Sequence, residues 1–451
     1  MFIAAGLYTI TRYLDEFFGE RSSIALSKFC PNGLISYGIN LEGKSKRRKF
    51  KPLDYAKKMD ELFETTIKKH RKETFWVLDS GGYQLAIGLL ANHHIPDYID
   101  SYIYFLENYT DNFDEAFTLD MPVTKNLFKK EEEVYQFNKE SYLRTSVLPD
   151  RVRDKLLFVS HFRTLHNFDV WNKLIYEDDL AKYYKRFSIG GLVTGQNVIH
   201  KLPVNLYTIG LLQIILYWKD KQNIPDPFRF HILGASNHKS VLFFYLLEEA
   251  IKDIYGINLA LSYDSSSLFK KMLRARNFTY FDPNTTLSLE VSAKSKNLNK
   301  IVHQFKRTSF DIIKQEIESM ARELGIDLEV KEIYDEHTGT FSDSIQGYII
   351  LLEAYEQHKF DEWARQEAKR LYQLYKTNLS KYESELSQCL INLNKGGKAS
   401  KSVRALSKKY TNSLDMIPKL DSIDALTSFM HTYNDVTDVE PVEGAPVWDL
   451  V

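Results

Sequence analysis

Three aspartates each close a short apolar run: "TFWVLD" (74–79) ends in Asp79, "EAFTLD" (115–120) in Asp120 and "NLALSYD" (258–264) in Asp264. A fourth run, "LLFVSH" (156–161), ends in His161, and a fifth, "FSIGGL" (187–192), in a glycine turn through Gly190, Gly191 and Leu192. If these runs are strands of one parallel barrel, their polar ends converge on one mouth. Convergent carboxylates fit several chemistries. One can attack an anomeric carbon as a covalent nucleophile while a second moves a proton on the departing or arriving group. A third can hold the amino and ring N–H of a guanine-like base, because an ionised carboxylate accepts two hydrogen bonds side by side. The same three could instead hold a divalent metal among oxygen ligands.

Taken singly, each residue has a plainer role. A strand-end aspartate often caps the next turn or helix. His161 alone reads as a structural hydrogen-bonder, Tyr83 as a core aromatic, and the glycine turn recurs in many folds. Their joint occurrence at successive strand ends is what points to a site. The stretch "DSGGYQ" (79–84) is the most telling, because a strand that delivers Asp79 and then turns through Gly81 and Gly82 lets backbone approach a ligand.

The elements that must position these residues alternate regularly. Between about residues 30 and 285 the candidate strands, which also include 33–39 and "FRFHILG" (228–234), are separated by helical candidates such as 54–70, 95–108, 126–143 and 239–255. That alternation predicts an α/β fold, an eight-stranded (β/α) TIM barrel, since polar strand ends are spread over many strands. A dinucleotide-binding sheet would show one glycine-rich turn after its first strand, and none is present. From 293–325 and 345–394 the apolar spacing turns helical, so residues 1–290 are expected to form the barrel and 291–451 an appended helical C-terminal domain. The last residues are acidic and read as a loose end.

The 451 residues are 44% apolar and 14% aromatic, enough for a large core, and 59 Lys and Arg nearly balance 60 Asp and Glu, for a net charge of −1. No global charge argues for nucleic acid, so a polyanion must be held by local patches. Lys270, Lys271, Arg274 and Arg276 follow Asp264 closely and are expected to contact phosphate. "GKSKRRKFK" (43–51) reads either as a second patch or as solvated surface. Two cysteines, Cys30 and Cys389, are too few for a disulfide framework or a Cys-rich zinc site, so reducing cytoplasm is the expected compartment. No export signal or membrane span is expected.

The motifs "DSGGYQ" (79–84), "TLDMPV" (118–123), "SIGGLVTGQ" (188–196), "HILGAS" (231–236) and "LSYDSSS" (261–267) stand in the order and approximate spacing of the tRNA-guanine transglycosylase superfamily, which exchanges guanine for a 7-deazaguanine. The chain resembles that family over roughly residues 30–285. The resemblance implies that Asp264 is the nucleophile and Asp79 the general acid/base. It implies that Asp120 reads the base, that the Gly191 and Leu192 backbone contacts its far edge, and that Tyr83 and Leu233 sandwich it. Ser80, His161 and Gly190 complete the expected substrate contacts, with His161 and Ser160 standing where the family usually has a glutamine. No metal and no cofactor are expected.

Two departures shape the expected substrate. The family's zinc site cannot be built from Cys30 and Cys389, and the "P-T-R" that follows the nucleophile in tRNA enzymes is replaced by "DSSSLFKKMLRAR". The chain therefore resembles most the divergent branch that inserts 7-deazaguanines into DNA, found in phages and bacterial genomic islands. The expected partners are DNA, a free 7-deazaguanine such as preQ0 and a companion protein, in a bacterial or phage-infected cytoplasm. A basic segment (396–409) with Lys398, Lys401, Arg404, Lys408 and Lys409 is expected to clamp the DNA. The alternatives are a zinc-free tRNA enzyme, a catalytically inert nucleic-acid-binding partner subunit, and an unrelated metal-dependent barrel hydrolase.

Overall fold

The computed structural model describes residues 2–4, 28, 32–41, 50–67, 74–86, 88–121, 130–162, 165–190, 202–235, 237–265, 277–325, 333–335, 340–341, 345–394 and 400–433. Seven strands follow one another in chain order: β2 (Asn32–Ser36), β3 (Phe75–Asp79), β4 (Glu115–Phe117), β5 (Leu156–Ser160), β6 (Arg186–Ile189), β7 (Phe228–Ile232) and β8 (Leu259–Ser265). Each pairs in parallel with the next, giving a curled sheet compatible with a TIM-like barrel. The three-residue β1 (Phe2–Ala4) pairs with β2 on one side and β8 on the other, placing Phe2 opposite Asp264. Sequence patterning does not reveal β1, which is too short to show a period.

Period-two alternation sorts the strand side chains. Leu34, Val77, Phe117, Leu157 and Val159 pack together with Phe75 and Leu233 as a small cluster inside the curl. The intervening Trp76, Leu78, Ala116, Leu156, Phe158, Phe187 and Phe230 join the large outer core beneath the helices. Those helices are α1 (Pro52–Leu62), α2 (Gly82–Ala86), α3 (Ile95–Asn108), α4 (Glu131–Ser146), α5 (Leu165–Asn172), α6 (Leu206–Asp220) and α7 (His238–Tyr255). α6 is buried from Tyr207 to Trp218; such a helix lacks a polar face and so lacks the amphipathic signature.

Tyrosines on the helices pin the strand ends. The hydroxyls of Tyr98, Tyr102 and Tyr142 donate to the carbonyls of Ser80 (2.8 Å), Phe117 (2.6 Å) and Val159 (2.7 Å). Each satisfies a carbonyl where the ladder stops, a net gain of about 1 kcal/mol apiece.

Beyond the sheet, a hairpin of β9 (Asn277–Asp282) and β10 (Leu287–Ser292) precedes α8 (Ser309–Glu323), α9 (Ile345–Thr377), α10 (Leu379–Asn392), α11 (Lys401–Met416) and α12 (Ile423–Thr432). The boundary expected at 290/291 thus falls inside β10. A second short hairpin, Ile301–Val302 with Arg307–Thr308, replaces part of the helix expected over 293–325. One hydrophobic core runs from the barrel helices into α8–α12, with Phe243 of α7 stacked on Tyr410 of α11 at 4.0 Å. Among the described residues no helix is long and apolar enough to cross a membrane.

Candidate active site

Asp79 shares the parity of Phe75 and Val77 and faces the inside of the curl. Ser36, opposite it across the β2–β3 ladder, hydrogen-bonds its carboxyl, as does the Gly81 N–H. Burial, and after it the negative charges of Asp120 and Asp264, raise the Asp79 pKa from 3.8 to about 7 against those two hydrogen bonds. A carboxyl near 7 can both give and take a proton at neutral pH.

The two glycines after it are required by geometry. Gly81 has φ +81°, and a Cβ there would come within 2.7 Å of the Gly38 nitrogen; a Cβ on Gly82 would lie 2.5 Å from the Asp120 carbonyl oxygen. The turn is therefore packed directly under the next aspartate. Ser80 is fully buried and its hydroxyl accepts from the Gly82 N–H at 3.4 Å, so it braces this turn.

Asp120 reaches the same mouth by a slip in alternation. After Phe117, Thr118 accepts from the Val159 N–H (3.1 Å) and Leu119 joins the outer core. Helix α4 fixes the following backbone: Asn138 exchanges two 2.9 Å hydrogen bonds with Met121, and Ser141 donates to the Leu119 carbonyl at 2.6 Å. Asp120 Oδ2 pairs with His161 Nε2. The His161 ring lies 4.6 Å from Trp171, whose Nε1–H donates to the Val159 carbonyl at 2.9 Å. His161 Nδ1 is buried without a hydrogen-bond partner among the described residues. A Cβ on Gly190 would sit 2.9 Å from His161 Cε1, so the glycine leaves room for the imidazole.

Asp264 is held through one oxygen. Its Oδ1 accepts from the Gly234 N–H at 2.7 Å and lies 3.3 Å from His231 Nε2, while His231 Nδ1 lies 2.8 Å from Ser262 Oγ. As a donor to the carboxylate, His231 carries a proton on Nε2. Gly234 supplies its N–H from φ +77°. Asp264 Oδ2 has no hydrogen-bond partner among the described residues, which leaves it the freer oxygen for attack. Sequence reasoning missed His231 and Ser36. Both carry a signal in hindsight, since Arg229, His231 and Leu233 share one parity and Ser36 follows Leu34, marking polar side chains on inward positions.

Asp79, Ser80, Asp120, His161, Gly190, Leu233 and Asp264 thus gather at the strand C-terminal ends. Gly191, Leu192, Lys270, Lys271, Arg274 and Arg276 lie outside the described residues, as does the Tyr83 side chain on α2 and most of the 43–51 patch. Among the described residues no three His, Cys, Asp or Glu side chains form a group able to hold a metal ion. The opposite end carries different work. There Glu115 pairs with Arg186 (3.1 Å) and Arg229 (2.8 Å) beside a cavity of about 230 Å³ lined by those arginines, Asp154, Asp226 and Lys185. Charge is balanced there, as suits a stabilising face.

Neither a family model nor a curated protein matches the chain.

Proposed function

We propose that this protein is a base-exchange glycosyltransferase that replaces guanine in DNA by a 7-deazaguanine of the preQ0 type, working in the mouth of a (β/α)8 barrel with an appended helical C-terminal region. The observation that carries the reading is the pair of inward carboxylates with different environments: Asp79 poised near 7, and Asp264 clamped at Oδ1 with Oδ2 unpartnered among the described residues. In the first displacement Oδ2 attacks C1′ of the target nucleotide. The C1′–N9 bond breaks, its electron pair stays on N9, and protonated Asp79 delivers the proton there. Guanine leaves and the deazapurine enters the same pocket. Asp79 then takes the N9 proton of the incoming base, N9 attacks C1′, and the ester bond to Oδ2 breaks to restore the Asp264 carboxylate. Two displacements retain the anomeric configuration and give ping-pong kinetics.

The Asp120–His161 pair suits base reading: the imidazole orients the carboxylate through Oδ2, and the carboxylate's remaining lone pairs can accept from N1–H and the amino group. A guanine in duplex DNA must first be drawn out of the stack, which costs a few kcal/mol that phosphate contacts and stacking offset. DNA is preferred to tRNA on the sequence that follows the nucleophile, and the setting is bacterial or phage-infected cytoplasm, with a companion protein as a further partner.

Incubation of the protein with guanine labelled at C8, offered duplex DNA and bulk tRNA in parallel, tests the reading. Label entering DNA, and none with Asp264→Ala, is the expected result. Label entering tRNA alone makes this the zinc-free tRNA enzyme. Label in neither, with the deazapurine also refused, leaves the inert partner.

A further inference from the structure

From Leu386 to Leu414 the chain has no acidic residue and six basic ones, Lys395, Lys398, Lys401, Arg404, Lys408 and Lys409, although the protein as a whole is balanced. Helix α11 carries the last four. Val403, Ser407, Tyr410 and Leu414 form its buried face, at helical spacing. Lys401, Arg404 and Lys408 stand at i, i+3 and i+7 on a neighbouring, exposed face. No ion pair holds any of these three among the described residues. Elsewhere the exposed helices mix signs and pair them, as Arg370 does with Glu367 and Glu385, and Lys376 with Asp253. Lys409 is half-buried, and burial pushes its pKa down, so it does not belong to the stripe. Lys395 and Lys398 lie outside the described residues.

The position of α11 gives the stripe its meaning. Tyr410 donates to the Lys239 carbonyl (3.0 Å) at the start of α7, and further along the Ile417 carbonyl accepts from Tyr255 (2.9 Å) at its end. The chain therefore passes from the start of α7 to its end between Tyr410 and Ile417. Helix α7 starts just after Gly234, whose N–H holds the Asp264 carboxylate. Two more contacts fix the same level: Ser413 accepts from the Asn205 N–H (2.8 Å), and Asn412 donates to the Pro203 carbonyl (3.0 Å), both in the segment leading into α6. Lys239 Nζ also donates to Asn394 (2.8 Å), which leads into α11. Residues 401–408 lie between Asn394 and Tyr410, both held at Lys239, and precede Tyr410 by up to nine positions, so they lie within roughly 13 Å of the start of α7.

We infer that the Lys401–Arg404–Lys408 face of α11 binds the phosphodiester backbone of the DNA flanking the guanine drawn into the barrel. The inference rests on the proposed function for its substrate, and adds where the polyanion lies. Three cations along about 10 Å of helix can meet successive phosphates of one strand, with no sequence preference.

The test is equilibrium binding of a fluorescein-labelled 20-base-pair duplex to the full-length protein over a range of salt. The proteins compared are wild type, the triple variant Lys401→Gln, Arg404→Gln, Lys408→Gln, and Lys185→Gln on the far end of the barrel. Losing three phosphate contacts lowers the slope of log affinity against log salt by about 2.7 and weakens binding by several hundredfold at about 0.1 M salt. Lys185→Gln changes neither. Circular dichroism melting of the triple variant, expected within a few degrees of wild type, shows that the fold is kept. Guanine exchange into DNA at saturating duplex should retain its kcat with KM raised. An unchanged slope in the triple variant, while wild type binds and exchanges, overturns the α11 assignment and leaves the proposed function standing. Wild type that binds tRNA and not duplex overturns DNA as the occupant. Wild type that binds neither and exchanges nothing overturns both.

Discussion

Replacing Asp79 by asparagine should make the protein more stable while destroying exchange, and the gain should depend on pH. In the fold the Asp79 carboxyl titrates near 7, against 3.8 for the free group. Between those values the folded chain keeps a proton that the unfolded chain has released. Stability therefore falls as pH rises through this window, by about 1.4 kcal/mol per unit. The roughly three-unit shift corresponds to at most about 4 kcal/mol of strain once Asp79 is ionised. Asparagine cannot ionise. It should stabilise the protein by about 1.5 kcal/mol at pH 5 and by roughly 2.5 kcal/mol more at pH 8. Urea denaturation of both proteins at the two pH values measures this directly. An equal difference at pH 5 and pH 8, or a variant less stable at pH 8, would refute the view that Asp79 is held protonated against its ionisation.

Other perturbations separate positioning from chemistry. His231→Phe removes the donor to Asp264 Oδ1 and leaves Gly234 alone, which should lower kcat by about ten- to a hundredfold, the worth of one hydrogen bond to a charged group; steady-state exchange kinetics read it, and His231→Gln should recover part of the loss. Gly82→Ala drives a methyl into the Asp120 carbonyl, 2.5 Å away, and should cost at least 1–3 kcal/mol in a thermal melt while impairing exchange. Glu115→Gln, at the far end of the barrel, weakens the pairing of Arg186 and Arg229 and should lower stability by about 1–3 kcal/mol with exchange at saturating substrate unchanged.

The strands that carry the candidate site were legible because each couples a β-rich apolar run to a polar terminus. Asp79, His161 and Asp264 stand within one residue of where the apolar runs placed them. What escaped the sequence did so for physical reasons. β1 is three residues long and is defined by the two edges it joins, a tertiary fact. α6 is apolar all round, and a helix without a polar side has no period to detect. The β9–β10 hairpin lies where alternation gives way to helical spacing, so the boundary expected from patterning runs through it. His231 was hidden because a histidine inside a strand reads as one more alternating residue until Ser262 and Asp264 are seen on either side of its ring. Asp120 was found by position alone. Its inward orientation depends on a slip after Phe117 that Asn138 and Ser141 hold in place from α4.

The central claim, covalent catalysis by Asp264, is tested most directly by trapping. Wild-type protein mixed with a guanine-containing duplex in the absence of free base should give a protein–DNA species that survives denaturing electrophoresis, is chased by added guanine and maps to Asp264 by peptide mass spectrometry. It should be absent with Asp264→Ala. Exchange without any such species, or an adduct that persists in Asp264→Ala, would contradict the account.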